Sequence, residues 1–227
     1  MLSKPINIGI IDDHALFRKT LKYFLSEQAN IRVLIQAAGI LDIFGKLKDN
    51  RIDILIVDIF MPGLNGNEAL NALKIQFPHI KILVLSMSTD MALVGQLLDV
   101  GIHGFISKAD EPDELLHAIK AASDDCIYRN SLFTEALYQR KQNDIIKYSS
   151  ETDAALSDRE KRMLQLIWEE KSNKEIADEL FLGIRSIEKI RQDIKEKIGA
   201  KSTVGLLKYA IRKNIIRVGV SRESAMR

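Results

Sequence analysis

The sequence predicts an α/β domain with a doubly wound, five-stranded parallel sheet, followed by a small all-α domain of four helices. Up to about Ala122, short apolar segments rich in β-branched residues alternate with segments whose apolar residues recur at helical spacing, which is the pattern of repeated β-α units. The crossover helices of such a sheet lie on both of its faces. From Leu156 onward only the helical spacing continues, which indicates a second domain of a different class.

The elements of the first domain follow from these two periodicities. The predicted strands are Ile6–Ile11, Arg32–Ala37, Ile52–Val57, Lys81–Leu85 and Gly104–Ile106. The first and third strands contain nearly continuous apolar runs, as expected for strands that are covered on both faces. The predicted helices are Leu16–Glu27, Ile40–Lys48, Asn65–Gln76, Met91–Val100 and Glu111–Ala122.

A polar segment from Asp124 to Asp153 separates the two domains. It is predicted to be a linker that contains a short helix, because Leu132, Phe133, Leu137 and Tyr138 recur at the spacing of one helical face.

The second domain is predicted to contain only helices. Their predicted bounds are Asp158–Glu170, Asn173–Leu180, Arg185–Ile198 and Thr203–Arg212. Ser157 with Glu160, and Ser172 with Glu175, have the spacing of a capping box, and Ser202 is placed to cap the last helix.

Composition favours a globular protein of the cytoplasm. Hydrophobic residues make up 46% and charged residues 28% of the 227 residues, and no apolar run approaches the ~20 residues of a membrane span. The single cysteine, Cys126, cannot form an intramolecular disulfide, which fits a reducing compartment. The charge is uneven: residues 154–227 carry 17 Lys and Arg against 11 Asp and Glu, whereas the preceding residues are net acidic. This asymmetry suggests that the C-terminal domain meets a polyanion.

Three carboxylates are predicted to meet at one edge of the sheet. Asp12 and Asp13 follow the first strand, and Asp58 follows the third. Ligands of open α/β sheets bind beyond the carboxyl ends of the strands, where the strand order reverses. Three adjacent carboxylates need a cation, and Mg²⁺ prefers hard oxygen ligands and phosphate partners. The neighbouring His14 is interpreted as an ordinary residue at the start of the first helix, since no second histidine has metal-ligand spacing.

A hydroxyl and a lysine are predicted at the same edge. Ser86 ends the fourth strand and Lys108 follows the fifth. Together with the acids they form a set suited to phosphoryl transfer: the metal and Lys108 stabilise phosphoryl oxygens, Ser86 donates a hydrogen bond, and Asp58 is the nucleophile.

Four segments resemble the receiver domain of response regulators. They are Ile11-Asp12-Asp13-His14, Leu55-Ile56-Val57-Asp58-Ile59-Phe60-Met61-Pro62-Gly63, Val84-Leu85-Ser86 and Gly104-Phe105-Ile106-Ser107-Lys108. The resemblance implies a flavodoxin-like sheet of strand order 2-1-3-4-5, with Asp58 as the phosphoacceptor. It also implies that Asp12, Asp13, Asp58 and the backbone carbonyl of Phe60 hold Mg²⁺, that Lys108 pairs with the phosphoryl group, and that Ser86 turns toward that group while the ring of Phe105 swings inward.

The second domain has the spacing of a helix-turn-helix, in which Asn173–Leu180 crosses the DNA backbone and Arg185–Ile198 enters the major groove. The residues expected on or near the outer face are Arg185, Ser186, Glu188, Lys189, Gln192, Lys195 and Glu196. Phosphates are expected to meet Lys174, Arg191 and Lys201. Either Gln192 or Lys189 has the donors to contact base edges.

The amino-acid sequence of this domain resembles that of the LuxR-type DNA-binding domain. The matching segments are Leu156-Ser157-Asp158-Arg159-Glu160, Lys171-Ser172-Asn173-Lys174-Glu175-Ile176-Ala177, Ser186-Ile187-Glu188-Lys189 and Lys197-Ile198-Gly199-Ala200-Lys201-Ser202. Three residues depart from the pattern: Glu170 replaces a common glycine, Glu188 a frequent basic residue, and Ile190 a frequent histidine. Glu188 could accept a hydrogen bond from cytosine N4 or simply repel phosphate.

A receiver followed by this domain is the architecture of NarL/LuxR-family response regulators. The expected domains are a receiver at 1–124, a partly helical linker at 125–153 and the helix-turn-helix domain at 154–220. The resemblance implies that a histidine kinase or phosphotransfer protein phosphorylates Asp58, which controls homodimerisation and sequence-specific binding of double-stranded DNA. The only enzymatic steps implied are Mg²⁺-dependent self-phosphorylation and slow self-dephosphorylation.

Two other functions fit the sequence less well. A phosphatase that uses Asp58 as its nucleophile usually needs an acid two residues later, and that residue is Phe60, which cannot transfer a proton. A protein-interaction adaptor that no longer binds DNA is suggested by Glu188 and Ile190, and salt-dependent duplex binding separates it from a DNA-binding regulator.

Overall fold

The computed structural model describes residues 4–61, 66–138 and 156–216. The chain divides into two compact units, Met1–Thr134 and Glu135–Arg227. This division lies within a helix, ten residues after residue 124, which is the predicted end of the receiver domain. No helix in the described ranges is both long enough and apolar enough to cross a bilayer.

The first unit contains the predicted five-stranded, all-parallel sheet. Its strands are β1 (Ile6–Ile11), β2 (Ile31–Ala37), β3 (Ile54–Asp58), β4 (Lys81–Ser86) and β5 (Gly104–Ser107). Their order in the sheet is β2-β1-β3-β4-β5, and every neighbouring pair is parallel. The predicted order is therefore confirmed, and its reversal beside β1 places the ends of β1 and β3 next to each other.

Five helices connect and follow these strands. They are α1 (Ala15–Ser26), α2 (Ile40–Asp49), α3 (Gly66–Gln76), α4 (Met91–Val100) and α5 (Pro112–Ser123). Each lies within two residues of its predicted bounds. The loop that holds Pro62 and Gly63 lies outside the described residues.

Both faces of the sheet are buried. On one face, Ile8, Ile56 and Leu83 pack with residues of α1 and α5 in a single apolar cluster. Leu55 and Val57 alternate with these strand residues and are fully buried as well, so helices cover the opposite face too. This packing fixes the strands whose ends carry the polar residues of the site.

The chain after α5 stays attached to the first unit. The amide of Tyr128 donates a hydrogen bond to the carbonyl of His103, and the Tyr128 hydroxyl donates to Glu114 of α5. Asn130 then begins the helix α6, which covers the described residues 131–138. The predicted short linker helix is present, with Phe133 and Leu137 buried; residues 139–155 of the predicted linker lie outside the described residues.

Between residues 156 and 216, which the structure describes, the second unit contains the four predicted helices: α7 (Asp158–Trp168), α8 (Asn173–Glu179), α9 (Ile184–Ile198) and α10 (Thr203–Arg212). Both predicted capping boxes are formed, Ser157 with Glu160 and Ser172 with Glu175, and the Ser202 hydroxyl caps α10. Helix α8 packs against α9, and α10 packs against α7 and α9. The α8-turn-α9 hairpin is held by the fully buried side chains of Ile176, Ile187 and Ile194.

Candidate functional site

The strand ends bring the predicted acidic residues together. Ile11 pairs with Val57, so Asp12 and Asp58 follow on adjacent strands. Potential ligand atoms of Asp12, Asp13, His14 and Asp58 all lie within 4.8 Å of one another. The side chains of Asp12 and Asp58 are almost completely buried, at 2% and 4% exposure. Buried carboxylates need compensation, and the neighbouring strands supply it.

Lys108 bridges two of the acids. Its Nζ donates hydrogen bonds to Asp12 Oδ2 at 2.7 Å and to Asp58 Oδ2 at 2.5 Å, and its side chain is only 6% exposed. The Lys108 backbone amide donates to the carbonyl of Ser86, which ties the β5 end to the β4 end. Burial by itself would lower the pKa of Lys108, but the hydrogen bonds and charges of Asp12 and Asp58 outweigh it and raise that pKa.

Asp13, the third acid, indicates that the cluster can hold a cation. Asp13 Oδ1 is buried without a hydrogen-bond donor. The three carboxylates and the one ammonium leave two negative charges at this edge of the sheet, which equals the charge of one divalent ion. A hard, oxygen-rich ligand set of this kind suits Mg²⁺. The amide of Phe60 donates to Asp58 Oδ1 at 2.9 Å, so the residue whose carbonyl is the predicted fourth ligand is held beside Asp58.

Ser86 and Phe105 are both buried. The Ser86 hydroxyl oxygen accepts a hydrogen bond from the Ser88 amide at 3.0 Å, so its proton can be donated elsewhere. The Phe105 ring is 0% exposed. The resemblance implied that this ring swings inward on phosphorylation, and that role of Phe105 stays a prediction. The Phe105 carbonyl accepts a hydrogen bond from Asn130 Nδ2 at 2.9 Å, a contact that no sequence pattern indicated.

The helix-turn-helix places most of the predicted DNA-contacting residues on its surface. Lys174 on α8, Lys201 before α10, and Arg185, Ser186, Glu188, Lys189 and Gln192 on α9 are exposed. Gln192 Nε2 donates to Glu196 Oε1 at 2.7 Å, so this base-reading candidate is engaged within its own helix. Lys189 is exposed as well, and which of the two contacts a base edge stays a prediction.

Arg191 departs from the prediction of a phosphate contact. It is 91% buried, since its exposure is 9%. Its guanidinium donates to Asn173 Oδ1 and, at 3.1 Å, to Thr203 Oγ1, so it joins α8, α9 and α10. The half-buried Lys195 lies close enough to this charge that burial first, and Arg191 second, lower its pKa. The sequence did not indicate this burial, because Thr203 of α10, to which Arg191 donates, is distant in the sequence.

Comparisons with known proteins agree with this arrangement. Residues 8–120 match the family described as "Response regulator receiver domain", and residues 154–210 match "Bacterial regulatory proteins, luxR family". Oxygen regulatory protein NreC of Staphylococcus epidermidis is 31% identical over 216 residues, which cover 93% of this chain and 99% of that protein. NreC of Staphylococcus aureus is 31% identical over 215 residues, with the same coverage.

Two solved structures share the fold. RcsB from Salmonella enterica serovar Typhimurium, bound to promoter rprA in the presence of phosphomimetic BeF3⁻, superposes with a TM-score of 0.54 at 24% identity, covering 91% of this chain and 98% of RcsB. The response regulator ChrA of a heme-sensing two-component system superposes with a TM-score of 0.50 at 25% identity, covering 93% of this chain and 99% of ChrA.

The first unit has a parallel β2-β1-β3-β4-β5 sheet, at whose edge Lys108 donates to Asp12 and Asp58. The helices that follow include a helix-turn-helix. Together they define a response regulator with a receiver domain and a DNA-binding domain. The chain belongs to the NarL/LuxR family of two-component response regulators. This family consists of regulators rather than classical enzymes.

Proposed function

We propose that Asp58 is the phosphoacceptor of this response regulator and that its phosphorylation controls dimerisation and binding to double-stranded DNA. The observation that carries the proposal is the pair of hydrogen bonds from Lys108 to Asp12 and Asp58 inside a buried acidic cluster. The donor is a histidine kinase or a phosphotransfer protein, and small acyl phosphates with Mg²⁺ serve as substitutes. The protein works in the cytoplasm, as its single cysteine suggests.

The proposed chemistry is an in-line transfer. A carboxylate oxygen of Asp58 forms a bond to phosphorus as the bond between phosphorus and the donor atom breaks. When bound by Asp12, Asp13, Asp58 and the Phe60 carbonyl, Mg²⁺ supplies positive charge to the phosphoryl oxygens. The Lys108 ammonium moves its hydrogen bond from the attacked carboxylate to a phosphoryl oxygen, and the Ser86 hydroxyl donates to another. Slow hydrolysis of the acyl phosphate restores Asp58.

The proposed output begins at β5 and ends at α9. A new hydrogen bond from Ser86 changes the strand end to which Lys108 is tied, and Asn130 connects the next strand to α6. This route runs through backbone contacts of β5, the strand that also carries the predicted switch residue Phe105. In the second unit, Lys174 and Lys201 meet phosphates while Lys189 and Arg185 face the major groove.

The test compares wild type with Asp58→Asn, and with Asp49→Asn as a control at an exposed aspartate. Each protein is incubated with Mg²⁺ and an acyl phosphate. Intact mass, mass in solution and affinity for duplexes selected from random sequence are then measured. We expect wild type and Asp49→Asn to gain one phosphoryl group, dimerise and bind DNA more tightly, while Asp58→Asn does none of these. Equal modification of all three proteins would overturn the assignment of Asp58.

A further inference from the structure

The Lys108 ammonium has an aromatic neighbour besides its two carboxylates. Its Nζ lies over the ring of Phe17, 4.4 Å from the ring centroid, while it donates hydrogen bonds to Asp12 and Asp58. A cation within about 6 Å of an aromatic face is attracted by the negative charge of that face, and more strongly when the cation is withdrawn from water. The Lys108 side chain is nearly inaccessible, so this attraction acts in the stronger regime.

The first turn of α1 holds the Phe17 ring in place. Phe17 is the third residue of α1, and its half-buried side chain packs against the apolar cluster that joins α1, the sheet and α5. The guanidinium of the next residue, Arg18, donates a hydrogen bond to the backbone carbonyl of Asp12. The helix that carries the ring is thus tied to the strand end that carries one of the two carboxylates, which fixes the ring beside Lys108.

The ring also separates the ammonium from empty space. Phe17 and Lys108 line the same cavity of about 220 Å³, whose surface is mostly apolar and includes Phe24 and Leu115. A smaller, aliphatic side chain in place of Phe17 would enlarge this cavity next to the ammonium. The ring therefore fills the space into which the ammonium could otherwise shift away from Asp58.

The contact with the ring differs from the carboxylate contacts in how phosphorylation affects it. In the proposed transfer a carboxylate oxygen of Asp58 attacks phosphorus, so Lys108 gives up its hydrogen bond to Asp58 and turns toward a phosphoryl oxygen. The attraction to an aromatic face has no donor–acceptor axis and does not involve the attacked carboxylate. Phe17 can therefore hold the ammonium while its hydrogen bond changes partner.

We infer that Phe17 is a positioning residue for the phosphorylation of Asp58, and that its ring keeps the Lys108 ammonium within reach of the incoming phosphoryl group. This inference rests on the proposed function, since it concerns the same reaction. It gives a side chain of α1 a role in chemistry that the sequence assigned to polar residues at the strand ends. The advantage is one of geometry, because a small misplacement of a charge-stabilising group lowers a rate strongly.

The experiment makes two measurements on the full-length chain. Phosphorylation by an acyl phosphate with Mg²⁺ is followed by intact mass, which gives a rate constant and involves no kinase that could itself contact α1. The position of the ammonium is followed by nuclear magnetic resonance of the ε-methylene protons of Lys108, assigned through Lys108→Arg. Protons above an aromatic face are shifted to lower frequency, so this second measurement reports the contact whether or not Asp58 is modified.

The variants separate the charge of the ring face from its bulk. They are Phe17→Leu, Phe17→Tyr and a series with fluorinated phenylalanines in place of Phe17, in which each fluorine weakens the negative face and changes the shape of the ring little. The matched control is Phe24→Leu. Phe24 lies two turns later on α1, packs half-buried against the same apolar cluster and lines the same cavity.

We expect Phe17→Leu to lower the rate constant about tenfold and to abolish the shift of the Lys108 protons, while Phe17→Tyr stays within about twofold of wild type. Increasing fluorination should lower the rate stepwise, and Phe24→Leu should change neither measurement. An unshifted Lys108 in wild type, a rate that is independent of fluorination, or equal slowing by Phe17→Leu and Phe24→Leu would overturn the role of Phe17 alone, provided that wild type is modified at Asp58. If wild type is not modified, the proposed function fails and this role fails with it.

Discussion

At the scale of single residues, the Lys108 ammonium is enclosed with two carboxylates in a nearly inaccessible site. Removing one member of a buried ion pair leaves its partner charges uncompensated, which costs about 3–5 kcal/mol. We expect Lys108→Ala to lower the free energy of unfolding of the first unit by about 3 kcal/mol without Mg²⁺, and by less with Mg²⁺. Urea unfolding followed by circular dichroism, with and without Mg²⁺, measures this.

The control for Lys108 is Lys120→Ala, which breaks an exposed pair with Asp124 and should cost less than about 1 kcal/mol. Equal effects of both substitutions would contradict a stabilising role for the buried ion pairs of Lys108.

The contribution of Lys108 to the free energy of unfolding depends on pH with a definite sign. Since folding raises the pKa of Lys108, its contribution is fully present below its unfolded pKa of about 10.4 and is lost as the pH rises through the folded value.

Arg191 and Lys189 both lie on α9, but we expect Arg191 to stabilise the fold and Lys189 to contact DNA. Arg191→Ala removes the buried hydrogen bonds to Asn173 and Thr203 and should destabilise the second unit by about 2 kcal/mol. The exposed Lys189→Ala should change stability by less than about 0.5 kcal/mol and weaken specific DNA binding by about tenfold. Thermal unfolding and DNA titration of both variants test this. A stable Arg191→Ala protein with weak DNA binding would restore Arg191 as a direct contact.

At the scale of elements, the backbone just after α7 accounts for the glycine that the family commonly has where this chain has Glu170. Glu170 has a φ of 59°, in the left-handed region that favours glycine. A residue with a Cβ costs roughly 1–2 kcal/mol there. We expect Glu170→Gly to stabilise the second unit by about 0.5–1 kcal/mol, because the gain exceeds the extra entropy of glycine in the unfolded chain. Thermal unfolding of the full chain measures the change.

The preceding residue is the matched control, since Glu169 has a φ of −74°. Glu169→Gly gains nothing from glycine in that conformation and should destabilise the unit by roughly 0.5–1 kcal/mol. Destabilisation by both substitutions would show that the side-chain interactions of Glu170 outweigh its backbone strain.

Asn130 joins two elements through one side chain. Its Oδ1 accepts a hydrogen bond from the amide of Phe133 in the first turn of α6, and its Nδ2 donates to the carbonyl of Phe105 in β5, each at 2.9 Å. Asn130→Ala should cost about 1 kcal/mol for the lost cap. It should also reduce the gain in DNA affinity on phosphorylation of Asp58. Phosphorylation by an acyl phosphate, followed by DNA titration, separates the two effects.

Asn130→Asp is the informative partner variant, because aspartate keeps the cap but has no donor for the Phe105 carbonyl. It should preserve the stability of α6 and lose the gain in DNA affinity. A full gain in both variants would show that the β5–Asn130 contact takes no part in signalling.

At the scale of the whole molecule, the two parts of the chain carry opposite charge. Residues 154–227 have a balance of +6, and the preceding residues have −4. We expect the DNA affinity of the full chain to fall steeply as salt rises, because cations on the DNA are released by phosphate contacts. Lys201→Ala should lower the slope of log affinity against log salt by about 1, whereas the control Lys48→Ala, exposed on α2, should leave it unchanged.

Absence of duplex binding even at low salt would instead support an adaptor without DNA-binding function. Measuring the slope for phosphorylated and unphosphorylated protein also shows whether dimerisation doubles the number of phosphate contacts, as a two-fold operator requires.

The sequence by itself determined the helices and strands of this protein and the edge of the sheet at which the acidic site lies. Hydrophobic periodicity located the strands and helices within a few residues, because burial on one or two faces imposes its own spacing on each element. Asp12, Asp13, Asp58, Ser86 and Lys108 all lie at or just after strand ends. They could be placed at one edge from the sequence, because the carboxyl ends of parallel strands lie at the same edge of a sheet. The two capping boxes were equally readable, because their hydrogen bonds join residues three positions apart.

Only the tertiary structure decided which partners individual side chains contact and which of them are buried. It turned Arg191 toward Asn173 and Thr203, placed the Phe105 ring inside the unit, set the His14 ring against Asp13, and attached Asn130 to β5. Apart from the His14 ring, which lies against the residue before it, these side chains depend on elements that are distant in the sequence. Periodicity within one segment reports which face of it is apolar, but the partner that covers the edge of that face exists only once the chain is folded.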